Sequence, residues 1–212
     1  MKQFIFSLLL LCTAQLSFAQ SEAYMTTMKG LLKKMSAATN VEAFQAAGNG
    51  FERVANAETK EWLPRYYAAN CLIMQAFMLQ DKSKVDPLID AAENWLNEAK
   101  ALSESEEITC LRSLCKSARI GVDPMTRGMK YGMESKELLE FAKKVNPNNP
   151  RIYFLEAQNI MYTPEQFGGG KAKAKPLFEK AVALYEKFTP ENELMPIWGA
   201  SEAKKMLEAC SQ

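Results

Sequence analysis

The chain has 212 residues, 48% of them apolar and 24% charged, a balance that supports a folded core and excludes disorder. Its 26 basic and 25 acidic residues leave a formal charge of +1, too even to gather nucleic acid or anionic lipid by electrostatic attraction. Histidine is absent, which removes the usual general base, the commonest metal ligand and every catalytic triad built on imidazole.

In chain order the first feature is a leader. Met1, Lys2 and Gln3 make a short positive start, Phe4 to Phe18 is almost continuously apolar, and Ser17-Phe18-Ala19 sets small residues where a signal peptidase reads them. Residues 1–19 are therefore expected to be a signal peptide cleaved after Ala19, leaving an exported, periplasmic chain from residue 20 to 212 with a formal charge of zero once Lys2 is gone. A lipid anchor on Cys12 is the competing reading, but Leu9, Leu10 and Leu11 stand where a small residue is wanted. No later segment approaches the roughly twenty apolar residues of a transmembrane helix.

Helix then follows helix. Tyr24, Met25, Met28, Leu31, Leu32 and Met35 form a first apolar stripe at three- and four-residue spacing. Thr39 or Asn40 caps a second helix through Phe44, Ala47, Phe51 and Val54, where Gly48 and Gly50 each cost about 1 kcal/mol and point to a close helix approach. A third spans about Lys60 to Leu79 with Pro64 in its first turn, and a fourth runs from about Val85 to Leu102. Ser103 or Ser105, followed by Glu106 and Glu107, opens a fifth, which Asp123-Pro124 interrupts. Met125 to Met133 is ambiguous. Ser135 to Val145 is helical and closes on Asn146-Pro147-Asn148-Asn149-Pro150.

Four of these segments share one signature: Ala47-x3-Phe51-x2-Val54, Ala92-x3-Leu96-x2-Ala99, Ser135-x3-Leu139-x2-Ala142 and Ala174-x3-Phe178-x2-Ala181. A unit that cannot bury its apolar face alone must stack on its neighbours. The fold expected is all-α, a solenoid of about four helical hairpins with a final helix, Ala203-x3-Leu207-x2-Cys210, covering the last groove with a polar outer face of Glu202, Lys204, Lys205 and Glu208. Cys110 and Cys115 sit about 8.6 Å apart on one helix, too far to bridge. A bond from Cys71 to either, or four free buried thiols, both remain open.

The run from Ser135 through Leu139 and Ala142 to Pro147-Asn148-Asn149, with Tyr153 and Ala157 next, resembles the second helix and exit turn of a tetratricopeptide repeat. The spacings of 45, 43 and 39 residues between small positions exceed the roughly 34 of that repeat, so the units are divergent. The resemblance implies a right-handed superhelix whose first helices line a concave groove. Counted in that register from Trp62 and Tyr153, the inward positions are Leu63, Tyr67, Asn70 and Cys71, then Arg151, Phe154, Gln158, Met161 and Tyr162, with Leu111, Cys115 and Arg119 between them.

The string Thr163-Pro164-Glu165-Gln166-Phe167-Gly168-Gly169-Gly170-Lys171 lengthens one hairpin turn. As a phosphate cradle it fails, because Ala172 follows Lys171 and Gln166 stands where the leading glycine belongs. A similar glycine string occurs in some tetratricopeptide proteins that accompany solute transporters. No metal or cofactor is implied. The resulting expectation is a non-enzymatic interaction module that docks a protein or peptide through Leu63, Tyr67, Asn70, Arg119, Arg151, Phe154, Gln158 and Tyr162. The alternative is a small-ligand carrier or transport accessory, in which twelve methionines and the aromatics help to line an apolar pocket.

Overall fold

The computed structural model describes residues 22–211. The expected signal peptide, its cleavage point and Cys12 lie outside the described residues. Among those described, every regular element is helical, as the apolar periodicity predicts. They are α1 (22–36), α2 (Val41–Ala57), α3 (Leu63–Met78), α4 (Val85–Leu102), α5 (Glu106–Ile120), α6 (Pro124–Val145), α7 (Pro150–Tyr162), α8 (Lys171–Tyr185) and α9 (Ala200–Ala209).

Capping residues set the starts. Asn40 Oδ1 accepts the Ala43 N–H at 2.8 Å, Ser105 Oγ that of Glu107 at 3.3 Å, and Asn149 Oδ1 that of Arg151 at 2.9 Å. Each satisfies a first-turn donor that has no partner within the helix. Asp123 accepts from both the backbone and the hydroxyl of Thr126, and Pro124 occupies the first turn where its missing N–H costs nothing. The ambiguous stretch from Met125 to Met133 is thus the opening of α6, and Asp123-Pro124 is a hairpin turn.

The helices pack as successive hairpins, with α3 against α4, α5 against α6 and α7 against α8, while α3, α5 and α7 lie side by side. The shared signature marks the centres of these contacts. Phe51, Ala92, Leu96, Ala99, Ser135, Ala142, Ala174, Phe178 and Ala181 are fully buried. Each bulky member adds about 2 kcal/mol of apolar burial, and the small ones let the neighbouring helix come close. Gly48 and Gly50 belong to the same logic. A Cβ on Gly48 would press on Cys71 of α3 at 3.2 Å, and one on Gly50 would run into Leu31 of α1.

The four described cysteines are free thiols, with Cys71, Cys110 and Cys115 buried and Cys210 half-buried. Burial pushes the Cys71 and Cys115 thiols up to about 12, so they behave as small apolar residues. The α7–α8 loop is a structural turn. Gly168 and Gly170 adopt φ of +89° and +99°, and a Cβ on Gly169 would collide with the Thr163 and Ile160 carbonyls. The Gly169 and Gly170 N–H groups donate to Pro164 and Ile160 at 3.2 and 2.9 Å. They are therefore spent inside the loop rather than offered to an anion. At the far end α9 packs on α8 through Ala203, with Glu202, Lys204, Lys205 and Glu208 exposed on its outer side.

Candidate functional site

The row α3, α5, α7 has two faces, and ion pairs identify the outer one. Arg65 reaches Glu98 of α4 at 3.3 Å, Arg119 reaches Asp86, Asp90 and Glu93 of α4 at 3.1, 2.6 and 2.8 Å, and Glu156 holds Lys143 of α6 at 2.7 Å. About 120° to 160° round the same helices stand Tyr67, Glu107 and Arg151, which mark the inner face.

That inner face is partly filled by the chain itself. Residues 186–199, between α8 and α9, form a non-helical strap that crosses it. The Tyr67 hydroxyl donates to the Leu194 carbonyl at 2.6 Å, the Trp198 indole donates to the Tyr66 hydroxyl at 2.8 Å, and the Tyr185 hydroxyl donates to the Trp198 carbonyl at 3.0 Å. Glu193 pairs with Lys29 of α1, and Leu194 is buried. Gly199 ends the strap at φ +101°, where a Cβ would strike the Tyr185 hydroxyl. Beneath it the Arg151 guanidinium lies 4.6 Å from the Phe188 ring centre and 5.7 Å from that of Trp198. The same group grips Glu107 through Nε at 2.7 Å, and Asn149 donates to that carboxylate as well. Burial lifts the Glu107 carboxyl above its ordinary value, while Arg151 and Asn149 pull the other way.

The strap covers only the first turns of the row. Seven and eleven residues further on, within about 20° of the same direction, come Met74 and Met78 on α3, Leu114 and Ala118 on α5, and Gln158 and Tyr162 on α7. Leu114 and Ala118 form a floor that is nearly closed to solvent, and Met74, Met161 and Gln158 are half-buried around it. Met78 is 38%, Phe77 44% and Tyr162 71% exposed at the rim. Large apolar side chains left in solvent near one another are a feature of surfaces that take a partner or ligand. A polar chain fixes its depth. Asn159 accepts from Ser117 at 3.1 Å and donates to Ser135 at 2.7 Å, and Ser135 bonds Ser113 at 2.7 Å, which locks α7 to α5 and α6.

The eight residues named from the sequence therefore divide. Gln158 and Tyr162 lie on the open half of the inner face. Tyr67 and Arg151 lie under the strap, and Leu63, Asn70 and Phe154 are buried as well, so none of these five meets solvent. Arg119 is a buried outer-face residue tied to three α4 carboxylates. The repeat register pointed all six toward the hollow; Arg119 instead turns to α4, and the register could not show that a distant segment already covers Tyr67 and Arg151. Met74, Met78, Leu114 and Ala118 were missed, although their spacing from Tyr67 and Glu107 repeats that of Gln158 and Tyr162 from Arg151.

Two clefts lie elsewhere, one of about 310 Å³ between α1 and α2 lined by Tyr24, Leu31 and Val54 among others. The other, of about 330 Å³ on the outer side, is lined by Glu93, Lys116, Glu134 and Phe141 among others, and its lysine is already held by both carboxylates, at 3.0 and 3.2 Å. Among the described residues no group of cysteine, aspartate and glutamate is placed to hold a metal ion, and no helix is long and apolar enough to cross a membrane.

No family model matches the chain, and no curated protein matches it significantly. Among solved structures the chain is similar to the HusA haemophore from Porphyromonas gingivalis. The two share 39% sequence identity with a TM-score of 0.81, over 88% of this chain and 92% of that one.

Proposed function

Because the chain belongs to the family of the HusA haemophore, we propose that it is a non-enzymatic carrier whose ligand is haem or a closely related porphyrin, held in the open half of the inner face. The observation that carries this reading is 39% identity extending over 92% of a haemophore. The groove fits a flat, largely apolar ring. Met74, Met78 and Met161 offer flexible, polarisable side chains, Tyr162 offers a ring to stack on, and Leu114 and Ala118 offer a smooth floor. Lys171, Lys173 and Lys175 open α8 just beyond Tyr162, with no acidic residue in that first turn, and suit the carboxylates of such a ligand. The chain has no histidine to hold haem iron, and Cys71, Cys110 and Cys115 are buried away from the open half of the inner face. Apolar burial and stacking would then supply much of the affinity, and the thioethers and the Tyr162 phenol are the groups of the groove with chemistry suited to iron. Export through a signal peptide ending at Ala19, and hairpins of tetratricopeptide type, complete the proposal.

Docking of a protein or peptide is the weaker reading, because five of the eight residues meant to serve it lie under the strap or in the core. Titration of the mature chain with haem, followed by absorbance, tests the carrier. Saturable binding that weakens about tenfold in Tyr162→Ala, equivalent to about 1.4 kcal/mol, is expected. Absence of saturable binding refutes it.

A further inference from the structure

Outside the groove the most unusual surface is the first half of α6. Met125, Met129 and Met133 are 92%, 82% and 60% exposed. Their spacing of four places them in one stripe, and Arg127, about 160° round the helix from Met129, points the other way to Asp86 of α4 at 2.8 Å. Gly128 and Gly132 stand beside the stripe, with open space where a side chain would be. Three large apolar side chains in this position contribute little to folding.

What a thioether adds over leucine is chemistry, namely reversible two-electron oxidation to the sulfoxide. Among the described residues the stripe is also the most exposed sulfur, since Cys71, Cys110 and Cys115 are buried, with burial raising each of those thiols well above its usual range, and Cys210 is half-buried. The groove itself contains thioethers whose oxidation would make its wall polar. These are less open than the stripe, with Met78 at 38% and Met74 and Met161 half-buried.

We propose that Met125, Met129 and Met133 form a sacrificial oxidation site that consumes peroxide ahead of the methionines of the groove. In each event the O–O bond of hydrogen peroxide breaks and one oxygen forms an S–O bond with the thioether. The sulfur is oxidised by two electrons, and the second oxygen leaves as water with both protons. The chemistry depends on exposure alone. Its purpose, keeping an apolar porphyrin groove intact, rests on the carrier reading.

The experiment is a titration of the full mature chain with limiting hydrogen peroxide, with sulfoxides mapped by peptide mass spectrometry and haem binding measured on the same samples. The stripe should oxidise several-fold faster than Met74, Met78 and Met161, and haem affinity should hold until those groove residues are modified. In a Met125→Leu, Met129→Leu, Met133→Leu variant with an unchanged melting temperature, groove sulfoxides and loss of haem binding should both appear at a lower peroxide ratio. Oxidation of groove and stripe in step, or a triple variant whose groove methionines oxidise at the unaltered dose, overturns the proposal. Failure of the untreated chain to bind haem would instead refute the carrier reading, while the order of sulfoxide formation would still decide the site.

Discussion

The two halves of the inner face are built from the same three helices yet have opposite fates. Where Tyr67, Glu107 and Arg151 point inward, the strap supplies main-chain acceptors, two aromatic rings and a buried leucine, and the surface is consumed as core. Two turns further on Leu114 and Ala118 are still buried, but Met78, Phe77 and Tyr162 remain in solvent. The same helical row is thus core where the chain folds back on it and surface where it does not.

The largest expected effect breaks the covered half. Arg151→Met should cost about 3–5 kcal/mol, because Glu107 is left buried without its partner, and a Glu107→Leu, Arg151→Met double variant should recover most of the loss. Urea denaturation measures both. Recovery would show that the pair secures the fold rather than a ligand.

Next, Leu194→Ala should lose about 2–4 kcal/mol, in the range for a buried leucine. Removing residues 198–212 should go further and cause aggregation, since α8 would lose its cover. A strap variant that melts unchanged would mean that the covered half is held by the helices alone.

The open half sharpens the contrast. Met78→Ala and Gln158→Ala should alter stability by less than about 0.5 kcal/mol, while Met78→Ala weakens haem binding several-fold in the same absorbance titration. A mutation that costs stability here but not affinity would reverse the assignment of the two halves.

The outer face provides a pH control, with a modest change in stability and none in binding. Burial raises the Glu93 carboxyl, but Lys116 and Arg119 outweigh it and hold the group below its usual value of 4.5. A depressed carboxylate contributes stability that is complete above its unfolded value and is lost as pH falls through the folded one. Glu93→Gln should therefore cost about 1 kcal/mol at pH 6, and the difference should shrink below about pH 4, as read from urea midpoints at the two pH values. Haem binding at pH 6 should not change.

Much of the fold was legible because it is local. Caps at Asn40 and Ser105, proline in the first turn of α3, and the recurring small and bulky positions all act within a few residues or between sequential helices. Met125 to Met133 was harder to read because two glycines and a preceding proline weaken a helical pattern that the Asp123 cap restores. Of the candidate site, the repeat register named Gln158 and Tyr162, which the structure leaves open to solvent, and Tyr67 and Arg151, which it covers with the strap. It missed the occupant of that space, since the contacts from Tyr67 to Leu194 and from Tyr66 to Trp198 span 127 and 132 residues, and nothing in a turn-rich segment names its target.

The sequence by itself determined an all-helical chain, its hairpin order and the small residues that let the helices approach, because periodicity and capping depend on neighbours along the chain. Only the tertiary structure decided which part of the inner face is core and which is surface. That outcome depends on where residues 186–199 gain more by burying Leu194 and stacking on Arg151 than they lose by being ordered, and such a balance exists only once the distant helices are in place.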